Sequence, residues 1–146
     1  MEENLKQLLL KDLSARFPYG VVLDVDTTDW KAPQGHIQVK IEGIGIIFKD
    51  MTLIVNGCNY GDNYKPFLRS MSSMTEEEYH ELGVLAHGCD CVLYYSACFP
   101  VKCNAKFKTY NLKVINWLLE HHFDFMGLIP KGLAVEVTEE NNPYKE

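Results

Sequence analysis

No stretch of this 146-residue chain approaches the roughly twenty consecutive apolar residues that a membrane-crossing helix needs, so no contact with a membrane is expected. The start, MEENLKQLLL, carries acidic residues where an export signal would be basic, and polar residues flank its short apolar run. A cytoplasmic protein is the expectation. A basic excess is also missing: 14 lysines and arginines face 20 aspartates and glutamates, a formal charge of −6. That balance opposes the phosphate-neutralising surface on which nonspecific nucleic-acid binding depends, so direct binding of nucleic acid is disfavoured. Lys102, Lys106 and Lys108, interleaved with Phe107 and Tyr110, come nearest to a basic patch and read as a solvated connector. The five cysteines, Cys58, Cys89, Cys91, Cys98 and Cys103, are an odd number, which argues against a closed disulfide framework and fits thiols kept reduced in a cytoplasm. Internal repeats are absent as well, which leaves no basis for a solenoid.

What the chain does have is the composition of a globular protein, with 47% apolar residues against 23% charged ones, and a length suited to one core. A single domain over residues 1–138 is expected, followed by a polar tail over 139–146. From Glu2 to Phe17, Leu5, Leu8, Leu9 and Leu13 recur at helical spacing, with Lys6, Lys11 and Asp12 left for the wet face. Pro18 and Gly20 end that helix. β-Branched segments then follow, GVVLDVD, HIQVKIEG, GIIFKD and MTLIVNG, separated by connections too short for parallel crossovers. In HIQVKIE, Ile37, Val39 and Ile41 should face the core while His36, Gln38, Lys40 and Glu42 face water. Gly43 and Gly45 read as a hairpin turn, and Asn56 to Met74 as a turn and an extended connector.

Thr75 followed by Glu76, Glu77 and Glu78 has the pattern of a capping box at the start of a second helix, whose apolar side would be Tyr79, Leu82, Leu85 and Ala86. Periodicity does not decide between strand and helix for Cys89 to Phe107. A third helix is expected from Asn111 to His122 with Leu112, Ile115, Leu118, Leu119 and His122 on one stripe, and a last strand from Leu133 to Val137. The fold class that buries these faces is α+β, a small antiparallel strand meander with about three helices packed on one face.

Three segments, KDLSARFPYG, KPFLRSMSSMTEEEYHEL and INWLLEHHFDFMGLIPKGLAVEV, resemble a family of short uncharacterised proteins encoded by phages and prophages of gut bacteria. The resemblance covers about half the chain and leaves out Cys89 to Phe107. It implies a phage or prophage setting and assigns no activity.

Several clusters invite chemistry. His80, His87, Cys89 and Cys91 put four possible zinc ligands within twelve residues, but a C-x-C pair following a histidine that stands seven residues after another is not the paired spacing of structural zinc sites. His121, His122 and Asp124 are candidates for acid-base catalysis, since histidine titrates near neutral pH and a carboxylate fixes its tautomer. They also suit the carbonyl end of a helix and the turn after it, and that structural role is the expected one. Asp24, Asp26 and Asp29 fail the calcium-loop pattern, with Asp29 where glycine belongs and Gly35 where the closing glutamate belongs, and read instead as the wet side of a strand (Asp24, Asp26) and the turn after it (Asp29). Ser72 and Ser73 lack the setting of a nucleophile elbow.

No metal and no cofactor are therefore expected. The function expected is that of a non-enzymatic accessory protein acting through an unidentified protein partner, with the strand edges and the Asn56 to Tyr64 loop as its contact surface. Two alternatives stand beside it. One is a hydrolytic or metal-dependent enzyme built on the His/Asp or His/Cys cluster. The other is an acidic decoy for a host nucleic-acid-binding protein, recognisable by salt-sensitive capture.

Overall fold

A computed structural model describes residues 2–47, 52–87 and 112–145, with Ile47, Ala86 and His87 described through their backbone alone. The fold is α+β, with three α-helices and two sheets among the described residues. The chain forms two compact units, Met1–Leu68 with Met126–Glu146, and Arg69–Phe125.

The first unit opens with α1, Glu3–Arg16, which continues into a 3-10 turn at Phe17–Tyr19 and stops at Gly20. Gly20 has φ +70°, a left-handed conformation that glycine adopts without the Cβ clash of other residues. Leu9 and Leu13 are buried as the spacing predicts, Leu5 and Leu8 are half-buried, and Leu10, outside the expected stripe, is buried as well. Asp12 is not on the wet face. It is buried with Arg16, whose Nε donates to Asp12 Oδ2 at 2.6 Å and whose second guanidinium nitrogen donates to Oδ1 at 3.1 Å. One turn of helix brings the two side chains together, so each charge accompanies the other into the interior.

The strands β1, Val22–Asp26, and β2, His36–Lys40, form the expected antiparallel pair, with Val25 opposite Ile37 and Leu23 opposite Val39. The chain then leaves this sheet. β3, Ile44–Ile47, β4, Thr52–Val55, and β5, Cys58–Asn59, make a separate three-stranded sheet, and Gly45 lies within β3 opposite Ile54 rather than in a turn. The expected connector holds a further strand, β6, Tyr64–Leu68, which returns to the other side of β1. It contains Pro66, which has no N–H to give to a ladder. Its missing N–H falls on the side away from β1, and pairing with β7, Val135–Glu136, begins only at Phe67, so no ladder bond is lost. The four-stranded order is β2-β1-β6-β7, and β7 runs parallel to β6, not antiparallel as a simple meander requires. Residues from α1, both sheets and the segment Leu128–Ala134 share one apolar core.

The C-terminal segment returns to this sheet through Tyr144. Its hydroxyl accepts from the Val22 amide at 3.2 Å and donates to the Phe67 carbonyl at 2.8 Å.

The second unit contains a 3-10 turn, Met71–Ser73, then α2, Glu76–His87, and α3, Leu112–Glu120. The capping box forms: Thr75 Oγ1 accepts from the Glu78 amide at 3.2 Å and Glu78 accepts from the Thr75 amide at 2.8 Å. In α3 the buried stripe is Val114, Trp117, Leu118 and Leu119, whereas Leu112, placed on the inner stripe by its spacing, is 71% exposed. The inner face centres on Trp117, and Leu112 begins the helix off that face. Trp117 and Leu118 pack with Met71, Met74, Leu82 and Phe123 in a core of their own. The segment from Cys89 to Phe107, with Lys102, Lys106 and Lys108, lies outside the described residues.

Candidate functional site

His121, His122 and Asp124 stand where α3 ends, and their roles there follow from backbone geometry. His122 has φ +60°, the left-handed conformation that terminates helices. Its amide donates to the Leu119 carbonyl at 3.1 Å, and the Phe123 amide donates to the Leu118 carbonyl at 2.9 Å, the paired bonds of a Schellman motif. His121 Nδ1 lies 2.9 Å from the Trp117 carbonyl, which can only accept, so the ring carries its proton there. The same ring stacks on Trp117 with centroids 4.0 Å apart.

Arg69 receives the chain beyond the helix. Its amide donates to the His122 carbonyl at 2.8 Å, its carbonyl accepts from the Asp124 amide at 2.8 Å, and its guanidinium lies 4.2 Å from the Phe123 ring centroid. That guanidinium also makes a two-pronged bond to Glu78, at 2.6 and 2.8 Å. Burial works against the charge on Glu78. The Arg69 bonds, the Thr75 amide and the Arg69 charge together prevail and hold its carboxyl below the ordinary value of 4.5. Glu78 therefore caps α2 and anchors Arg69 at once. The three sequence candidates share a helix terminus and a β-bridge, and Arg69 is the residue of this unit that sequence reasoning missed.

The residues weighed as zinc ligands meet a geometric limit. His80 and His87 belong to α2, and seven residues of helix separate them by roughly 10 Å along the axis. Cys89 and Cys91, with the side chain of His87, lie outside the described residues. Among the described residues no three histidine, cysteine, aspartate or glutamate side chains converge on a metal-sized site.

The wet face of the four-stranded sheet carries the other constellation. Asp24 and Asp26 point outward from β1, where alternation of the strand placed them, with Val25 between them buried. Register then sets His36 of β2 and Lys65 of β6 beside them. Together with Asp62, Asn63, Tyr64 and Val135 they line a shallow trough of about 370 Å³. His36 Nδ1 lies 2.9 Å from Asp24 Oδ2, and that bond, then the Asp24 charge, raises the imidazole above its ordinary 6.5. Asp26 Oδ1 accepts from the Thr28 amide and hydroxyl at 2.9 and 2.8 Å, which lowers its own carboxyl. Asp62 pairs with Lys6 at 3.2 Å. Each carboxylate thus has a neighbour that binds it, so the trough is not a run of free negative charge. Burial first, then the Asp62 charge, pushes the Tyr64 hydroxyl up to about 12.

Beside this end of the sheet, Trp30 in the β1–β2 loop stacks on Tyr60 with ring planes 4° apart. Asn56, at φ +50° in the β4–β5 turn, reaches across to β2: its Oδ1 accepts from the Glu42 and Gly43 amides, and its Nδ2 donates to the Lys40 carbonyl at 2.9 Å. The sequence marked the Asn56 to Tyr64 loop but offered no sign of this clip. No described helix is long and apolar enough to cross a membrane. Compared with known proteins, the chain matches no family model, no curated protein and no solved structure.

Proposed function

We propose that this chain is a non-enzymatic protein-interaction module, an accessory protein of phage or prophage origin that acts in the cytoplasm by contact with a partner protein. The observation that supports it is the use made of the best catalytic candidates. His121 bonds the Trp117 carbonyl, and His122 occupies the left-handed position that ends α3. Asp124 is buried, with its amide given to Arg69. A helix terminus and a β-bridge account for all three positions without a reaction. The phage setting rests on the resemblance of the three segments alone. An acidic decoy gains little support, because Asp24, Asp26 and Asp62 are each held by His36, Thr28 or Lys6.

The test compares wild type with a His121→Asn, His122→Gly variant, which keeps a donor at the Nδ1 position and a residue at ease in the left-handed conformation. Affinity capture from a bacterial host extract should return the same partner in the same amount from both. Loss of the partner by a variant that circular dichroism shows to be folded would count against a purely structural role for these histidines.

A further inference from the structure

We propose that the outer edge of β2 is a strand-addition site for an extended partner segment in which acidic residues alternate with apolar ones. This rests on the interaction-module reading and names its surface and partner class.

Hydrogen-bond parity identifies the open groups. The Ile41 amide donates to the Val21 carbonyl at 3.0 Å, and the Thr27 amide donates to the Gly35 carbonyl at 2.9 Å. Residues 35, 37, 39 and 41 therefore turn their backbone groups toward β1, and His36, Gln38 and Lys40 turn theirs away from it. Among the described strands β2 is an end of the four-stranded sheet. Asn56 occupies the Lys40 carbonyl and closes one end of that edge. The N–H and C=O groups of His36 and Gln38 have no bond to a described residue and form a template for a further strand.

The side chains say what such a strand would carry. Ile37 and Val39 pack against the core yet remain half-buried, while Leu23 and Val25 on the next strand are fully covered. Apolar residues of an added strand would cover Ile37 and Val39. On the opposite face His36 and Lys40 are exposed, and carboxylates placed opposite them complement both. A second copy pairing about Gln38 would instead oppose His36 to Lys40, two cations once the imidazole is protonated.

The test is an NMR titration with a short synthetic peptide of alternating valine and glutamate. Shifts and slowed hydrogen exchange are expected at the His36 and Gln38 amides. Gln38→Pro removes an outward N–H and leaves the β1 ladder complete, so it should weaken binding about tenfold, the scale of one lost hydrogen bond, with little change in the unfolding midpoint. Gln38→Ala should bind as wild type does. Equal binding by Gln38→Pro, or the absence of any shift at His36 and Gln38, overturns the proposal. Shifts confined to the Asn56 to Tyr64 loop overturn the edge while leaving an interaction module intact. Protection of His36 and Gln38 that grows with protein concentration in the absence of peptide replaces the partner with a second copy.

Discussion

The hydroxyl of Tyr144 stands between the Phe67 carbonyl and the Val22 amide, at 2.8 and 3.2 Å, where direct pairing of β1 and β6 would otherwise continue. The next bonds along β1, at Asp24 and Asp26, follow the ordinary antiparallel ladder. A side chain from the C-terminal segment thus completes a sheet built by residues far away in sequence. Burial pushes this hydroxyl up to about 12, so it stays protonated and able to donate throughout the physiological range. Tyr144→Phe removes the bridge and leaves a buried donor and acceptor facing one another. Urea unfolding should show a loss of about 1–3 kcal/mol, with faster exchange at the Val22 amide.

The Asp12–Arg16 pair is expected to behave as a unit. Asp12→Ala leaves a buried guanidinium without its carboxylate and should cost about 3–5 kcal/mol. The double change Asp12→Ala, Arg16→Met removes both charges and should be more stable than the single variant. A double variant no better than Asp12→Ala would mean that the other contacts of Arg16 carry the effect.

At the start of α2, Thr75→Ala should lower stability by about 1 kcal/mol through loss of the cap. The pH dependence of Glu78 follows from its lowered carboxyl: the folded state holds the charged form more strongly than the unfolded chain does. Its contribution is complete above the unfolded value near 4.5 and disappears as pH falls through the lower folded value. Denaturation of wild type beside Glu78→Gln should therefore show a gap at pH 7 that narrows as the pH drops below about 4.5.

His122 offers a comparison that separates conformation from chemistry. His122→Gly and His122→Val lose the same imidazole, but only valine meets the steric penalty of φ +60°. Valine should be the less stable of the two by about 1–2 kcal/mol. Equal stabilities would show that the helix end does not depend on this conformation.

Much of the scaffold was legible because it obeys a period. The Asp24–Val25–Asp26 alternation, the wet side of HIQVK and the Thr75–Glu78 capping box follow from strand repeat and end chemistry alone. The stripe of α3 was misplaced because leucines occur on more than one of its faces, and the spacing does not show that Trp117 anchors the inner one. β6 was hidden by the glycines, asparagines and serines on either side of it, which mark a turn and connector and mask a five-residue strand between them. Tyr144 and Asn56 were out of reach for another reason: each bonds backbone far along the chain, and no local pattern encodes such a contact. At the candidate site, the helix-ending role of HHFD could be expected from composition, whereas the left-handed backbone of His122 could not.

Native mass spectrometry of protein purified without chelator tests the central claim most directly, because one spectrum reports bound metal, bound small molecules and bound polypeptide. A module that acts by contact should appear as the metal-free chain, alone or with a protein partner at fixed copy number. A stoichiometric metal ion that is lost when His121, His122 or the cysteines are replaced would contradict the account and return these residues to an enzyme.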